Sequence, residues 1–120
     1  MIRFARLWVL LPLLWVEGVW AVDCADTNYR LRTQEMVDSL GATGCNTILG
    51  RLTIESGANI TNINALANLT SVGGSLLIDE NSALTNIDGL VNLASVGDAL
   101  FIRNNDALTD VAGLANLTSV

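Results

Sequence analysis

Residues 73–96 read GGSLLIDENSALTNIDGLVNLASV, and residues 97–120 read GDALFIRNNDALTDVAGLANLTSV. Thirteen of the 24 positions are identical. One step upstream, residues 49–72 read LGRLTIESGANITNINALANLTSV and keep the pattern. The aligned columns are apolar: Leu52, Leu76 and Leu100; Ile54, Ile78 and Ile102; Ile60, Leu84 and Leu108; Ile63, Ile87 and Val111. Leu66, Leu90 and Leu114, then Leu69, Leu93 and Leu117, then Val72, Val96 and Val120 complete the set. A fixed period of this length is the signature of stacked repeats.

The spacing inside one repeat predicts its shape. Leu76 and Ile78 lie two apart, which is strand periodicity with both side chains on one face. Leu84, Ile87, Leu90, Leu93 and Val96 then recur every three residues, and an α-helical period of 3.6 drifts off that stripe. A polygonal coil keeps each of them inward. One coil cannot bury its own apolar edge, but stacked coils with parallel strands about 4.8 Å apart can. The expected fold is mainly β: a right-handed β-helix, or leucine-rich-repeat-like solenoid, with 24-residue coils and short parallel strands at Leu52–Ile54, Leu76–Ile78 and Leu100–Ile102.

Outside the repeats the chain has two further parts. Residues 1–21 are laid out as a secretory signal peptide, with Arg3 and Arg6 ahead of an apolar stretch from Leu7 to Val16, and Val19 and Ala21 at a small-residue cleavage site. The alternative is an uncleaved anchor, but a spanning helix needs about 20 apolar residues and Glu17 interrupts the run. Residues 22–44 form the expected N-terminal cap, with a short helix at Thr33–Leu40. Thr33 caps it, Met36, Val37 and Leu40 form its apolar face, and Gly41 stops it. In an exported chain Cys24 and Cys45 are expected to pair and pin that cap. A metal site at these cysteines would lack any His or third Cys.

Composition narrows the function. The 120 residues carry a net charge of −6, with hydrophobic content of 51% and charged content of only 15%. There is no His and no Lys. The chain thus lacks the side chain that most readily exchanges protons near neutral pH and the usual Schiff-base nucleophile. An acidic chain without a basic patch also fits nucleic acid poorly. Beyond residue 21, four Arg stand against eleven Asp and Glu, and no further apolar run is long enough to span a membrane.

Polar columns repeat too: Asn68, Asn92 and Asn116; Asn81 and Asn105; Asn62, Asn86 and Asp110. Their expected role is structural, with amides capping turns and bonding the next coil. The calcium-binding GGxGxD pattern is absent, and no cofactor is expected. Gly50, Gly73, Gly74, Gly89, Gly97 and Gly113 are expected to mark tight corners. The sequons at Asn59, Asn68 and Asn116 matter only in a glycosylating host.

The run Cys45-Asn-Thr-Ile-Leu-Gly-Arg-Leu-Thr-Ile54, followed by the repeated LTNIDGL-x-NL-x-SVGG-x-L-x-I pattern, resembles the receptor L domain. That is the leucine-rich-repeat-like module of insulin- and EGF-receptor ectodomains and of similar microbial secreted proteins. TQEMVDSL and the following Cys are similar to the helix and disulfide that close the module's N-terminal end. The LxxLxLxxNxL spacing of ordinary leucine-rich repeats fits less well, since Val72 lies four before Leu76 and Leu84 three after Asn81. The resemblance spans residues 24–120. With residues 45–120 as its repeats, the chain stops mid-pattern at Val120 and is expected to be a C-terminally incomplete fragment.

What the resemblance implies is a non-catalytic extracellular module, secreted or at the cell surface, that binds a protein or glycan through its exposed strand face. The other class is a structural envelope or surface scaffold with no specific ligand. With Leu76 and Ile78 inward, the outward residues are Thr53, Leu77 and Phe101 in one column, and Glu55, Asp79 and Arg103 in another. These six form the expected binding face. The bland reading is that stacked β-formers merely stabilise the sheet. Glu55 and Asp79, about 5 Å apart on adjacent strands, stand near the retaining-glycosidase separation, but a flat face offers no cleft.

Overall fold

A computed structural model describes residues 22–55 and 59–120. The signal peptide expected at residues 1–21 lies outside the described residues.

The strand pair expected from Leu76 and Ile78 extends to Leu76–Asp79 (β5), with β3 at Leu52–Glu55 and β7 at Leu100–Arg103. They pair in parallel with Leu52 beside Leu76 beside Leu100, the register the repeat demands. A further strand, β1 at Tyr29–Leu31, pairs with β3 and completes a four-stranded sheet in the order β1-β3-β5-β7. A second, three-stranded parallel sheet is built from β2 (Thr47–Ile48), β4 (Ser71–Val72) and β6 (Ser95–Val96). The Val72 and Val96 column, expected only to point inward, is thus a sheet of its own.

The three-residue spacing of the apolar stripe resolves as single 3₁₀ turns at Asn64–Leu66, Asp88–Leu90 and Ala112–Leu114. A 3₁₀ helix has three residues per turn, so the inward leucine recurs at that step. Among the described residues the architecture is mixed α/β, with one α-helix and parallel strands in two sheets. Neither sheet closes on itself.

The core lies between the two sheets and the 3₁₀ turns. Leu52, Ile54, Ile60, Ile63, Leu76, Ile78, Leu84, Ile87, Leu90 and Leu93 have no exposure to solvent. Polar ladders run alongside. Asn81 Nδ2 donates to the Ile54 carbonyl and Asn105 Nδ2 to the Ile78 carbonyl, 3.0 and 2.9 Å, and Asn81 also donates to Asn105. Asn92 and Asn116 donate to the carbonyls of Ala67 and Val91 in the preceding repeat. Asn62, Asn86 and Asp110 each accept the backbone N–H two residues on. The asparagine columns are therefore engaged in holding backbone.

The cap helix, α1, spans Gln34–Ala42, and Thr33 Oγ1 accepts the Met36 N–H at 3.1 Å. Val37 and Leu40 are buried, whereas Met36 is exposed. Gln34 clasps the first repeat: its amide donates to the Asn62 carbonyl and accepts the Thr61 N–H, both at 3.0 Å. Cys24 and Cys45 form the disulfide that ties the segment before β1 to the start of the repeats. Gly41 does not stop the helix, which runs past it. A Cβ on Gly41 would stand 2.1 Å from the Ala65 carbonyl oxygen, so glycine is needed there for the helix to lie against the first 3₁₀ turn. Gly89 and Gly113 meet the same demand, since a Cβ on each would stand 1.8 and 2.0 Å from the carbonyl oxygens of Ile63 and Ile87. Close stacking, rather than left-handed backbone, explains these glycines. Among the described glycines only Gly44 has positive φ.

Candidate functional site

The outer face of the four-stranded sheet is built from three columns. Arg30 of β1 extends the expected column to Arg30, Thr53, Leu77 and Phe101. The next outward position carries Glu55, Asp79 and Arg103 in register. Arg51, Ser75 and Ala99 precede β3, β5 and β7.

The expected binding-face residues do not share one environment. Phe101 is 48% exposed and Leu77 half-buried, but Thr53 is only 7% exposed. The column therefore differs from the exposed apolar strip expected of it: the added strand β1 flanks Thr53 on one side and Leu77 covers the other. Arg103 lies over the Phe101 ring with 6.0 Å between guanidinium carbon and centroid. Cation–π geometry of this kind fixes the ring and contributes about 0.5–1 kcal/mol at an exposed site.

The two carboxylates are each held by arginine. Arg30 Nε donates to Glu55, and Arg32 approaches the same oxygen at 3.5 Å. Arg103 Nε donates to Asp79 at 3.1 Å, and Asn104 Nδ2 donates to its other oxygen at 2.9 Å. The Asn104 hydrogen bond, aided by Arg103 and opposed by desolvation, holds the Asp79 carboxyl below its ordinary value. A general acid needs the opposite shift to that of Asp79, and both carboxylates are engaged in ion pairs on the sheet surface. The backbone is left-handed at Glu80 after β5 and at Asn104 after β7, where the Asn104 amide turns back onto Asp79.

Two adjoining shallow grooves cross this face. One of about 630 Å³ lies over the β1 side. The other, about 270 Å³, lies over the β7 side. Arg51, Ser75 and Leu77 line both. Arg51 is exposed and, among the described residues, has no ion-pair partner. Asp98 shares the larger groove but accepts the Ser75 hydroxyl at 3.2 Å. All four arginines beyond residue 21 thus sit in or beside this one sheet. Arg30 and Arg32 escaped the reading of the repeats because β1 pairs with β3 at a step of 23, Tyr29 beside Leu52, one short of the 24-residue period. The alternation Tyr29, Leu31 on one side and Arg30, Arg32 on the other was the available signal.

Among the described residues no group of three or more His, Cys, Asp or Glu could hold a metal ion. No helix among them is long and apolar enough to cross a membrane. A family model described as Receptor L domain matches residues 44–120. No curated protein and no solved structure matches the chain.

Proposed function

Because the chain belongs to the receptor L domain family, we propose that it is an extracellular, non-catalytic recognition module whose ligand, a protein or glycan, lies on the outer face of the four-stranded sheet. Leu77 and Phe101 supply apolar contact there, and Arg103, Glu55 and Asp79 supply the polar border. Thr53, largely covered by its neighbours Arg30 and Leu77, lines the floor of the larger groove. The observation that carries this reading is the pair of adjoining grooves on a face where an exposed phenylalanine sits among arginines. Aromatic and arginine side chains together are the residues enriched at binding hot spots.

The stacked 24-residue repeats wind as a right-handed solenoid, since parallel strands of one sheet are joined by right-handed crossovers almost without exception. Residues 1–21 act as a signal peptide cleaved near Ala21, and the module works in the secreted space or at the cell surface. The Cys24–Cys45 bond supports that location, because disulfides persist in oxidising compartments. The lack of His and Lys and the arginine-held carboxylates support a non-catalytic role.

The test is a broad peptide and glycan array probed with the oxidised chain and with the Leu77→Asp, Phe101→Asp double variant. Binding that the double variant loses, with its circular dichroism unchanged, supports recognition through this face. Binding that survives the double variant moves the site elsewhere, and silence across both arrays favours the scaffold.

A further inference from the structure

The Arg51 guanidinium is the feature of this face that the fold itself leaves unused. Of the four arginines gathered at the sheet, Arg30, Arg32 and Arg103 are ion-paired to Glu55 or Asp79. Arg51 has no such pair among the described residues, although two acidic residues, Glu55 and Asp98, line the same groove; Glu55 is taken by Arg30 and Arg32. The Asp98 carboxylate is turned to the Ser75 hydroxyl instead. An unpaired guanidinium where two grooves meet presents a planar donor fork matched to an anionic oxygen pair.

Resting on the face reading above, we propose that the ligand is an acidic protein segment in extended conformation, with a carboxylate seated on Arg51 and a large apolar side chain on Leu77 and Phe101. Arg51 and Leu77 are one strand and two residues apart, which places their Cα atoms about 8 Å from each other. An extended peptide sets side chains i and i+2 on one side about 7 Å apart. The matching motif is therefore Asp or Glu followed two positions later by a large aliphatic or aromatic residue. An acidic sugar is the less fitting occupant. Arg103 already lies over a face of the Phe101 ring, where a pyranose would stack, and Leu77 offers no flat platform. The hollow between α1 and β1 suits an anion less, because its arginine, Arg30, is already paired to Glu55 while Asp26 and Glu35 line it.

The experiment is fluorescence polarisation on the full oxidised chain. The probe is a labelled synthetic peptide of alternating glutamate and leucine separated by serine. Lysine-for-glutamate and glycine-for-leucine peptides are the controls, with a soluble polyuronate as competitor. The expected result is binding to the glutamate–leucine probe alone, weakening as salt rises. Arg51→Ala should weaken it by about tenfold or more, the effect of losing one charge-assisted bidentate contact, and Arg51→Lys should lie between. Leu77→Asp should abolish it. Probe binding that Arg51→Ala leaves unchanged overturns the proposal. If Leu77→Asp still removes such binding, the face reading survives without its arginine anchor. If neither variant matters, both fall. Polyuronate binding without peptide binding, or no peptide binding at all, overturns the acidic-segment ligand while leaving the face open to other chemistry.

Discussion

Residues 73–96 and 97–120 share thirteen of 24 positions, yet they occupy different environments. In the first repeat Leu76, Ile78, Leu84, Ile87, Leu90 and Leu93 are wholly buried. In the second, Leu100, Ile102, Leu108, Leu114 and Leu117 are only half-buried, and Val111, the counterpart of Ile87, is 51% exposed. β5 is paired on both sides and β7 on one. A repeat thus provides half of each core layer, and its neighbour provides the other half. The same side chain is structural in one copy and partly surface in the next. Phe101 shows the same contrast on the outer face: its counterpart Leu77 lies between two strands, whereas Phe101, on β7, is 48% exposed.

The largest expected contrast tests that difference directly. Ile78→Ala should cost about 4 kcal/mol in urea unfolding, because it empties a site closed on every side. Ile102→Ala should cost about 1–2 kcal/mol, since water already reaches that position. Equal losses would break the comparison. Next in size is the opposite end of the stack, which the Cys24–Cys45 bond secures. Replacing both cysteines by serine should cost about 3 kcal/mol, and hydrogen exchange should rise first in β1 and α1 rather than in β5. Asn81→Ala should cost about 2 kcal/mol by taking the side-chain donor from the buried Ile54 carbonyl and one of the two donors from Asn105 Oδ1, which keeps the residue 81 backbone N–H. Asn105→Ala, at a half-buried position, should cost less.

The smallest effect is electrostatic. Asp79 titrates below its ordinary value when folded, chiefly through Asn104. Its contribution is therefore complete above the unfolded carboxyl value of about 3.9 and is lost as pH falls from there through the lower folded value. Stability measured between about pH 5 and pH 2 should fall less steeply in Asp79→Asn than in the parent chain. An unchanged acid limb would show that the Arg103 and Asn104 contacts do not bind the charge.

Much of this architecture is legible in the residues. The 24-residue period fixed the register of β3, β5 and β7, because in-register stacking is the arrangement that puts every apolar column on itself. The Thr33 cap of α1, the cysteine pair and the backbone-holding asparagines also follow from residue type and position. Strand β1 stayed hidden because its register breaks the period by one residue. The second sheet stayed hidden because two-residue strands have no alternation to read. Gly41 was misplaced because the sequence suggests a helix end where the fold needs clearance from Ala65. Of the candidate face, Leu77, Phe101 and the Asp79–Arg103 pair could be placed outward by alternation alone, but the burial of Thr53 could not, since it depends on β1.

By itself, then, the sequence determined the period, the inward columns and the family to which the repeats belong, because those are properties of spacing along one chain. The tertiary structure decided which arginine is left unpaired, which outward residue is covered and where two grooves meet. Those depend on what lies beside each strand across a gap of about 5 Å, a distance that local spacing does not encode.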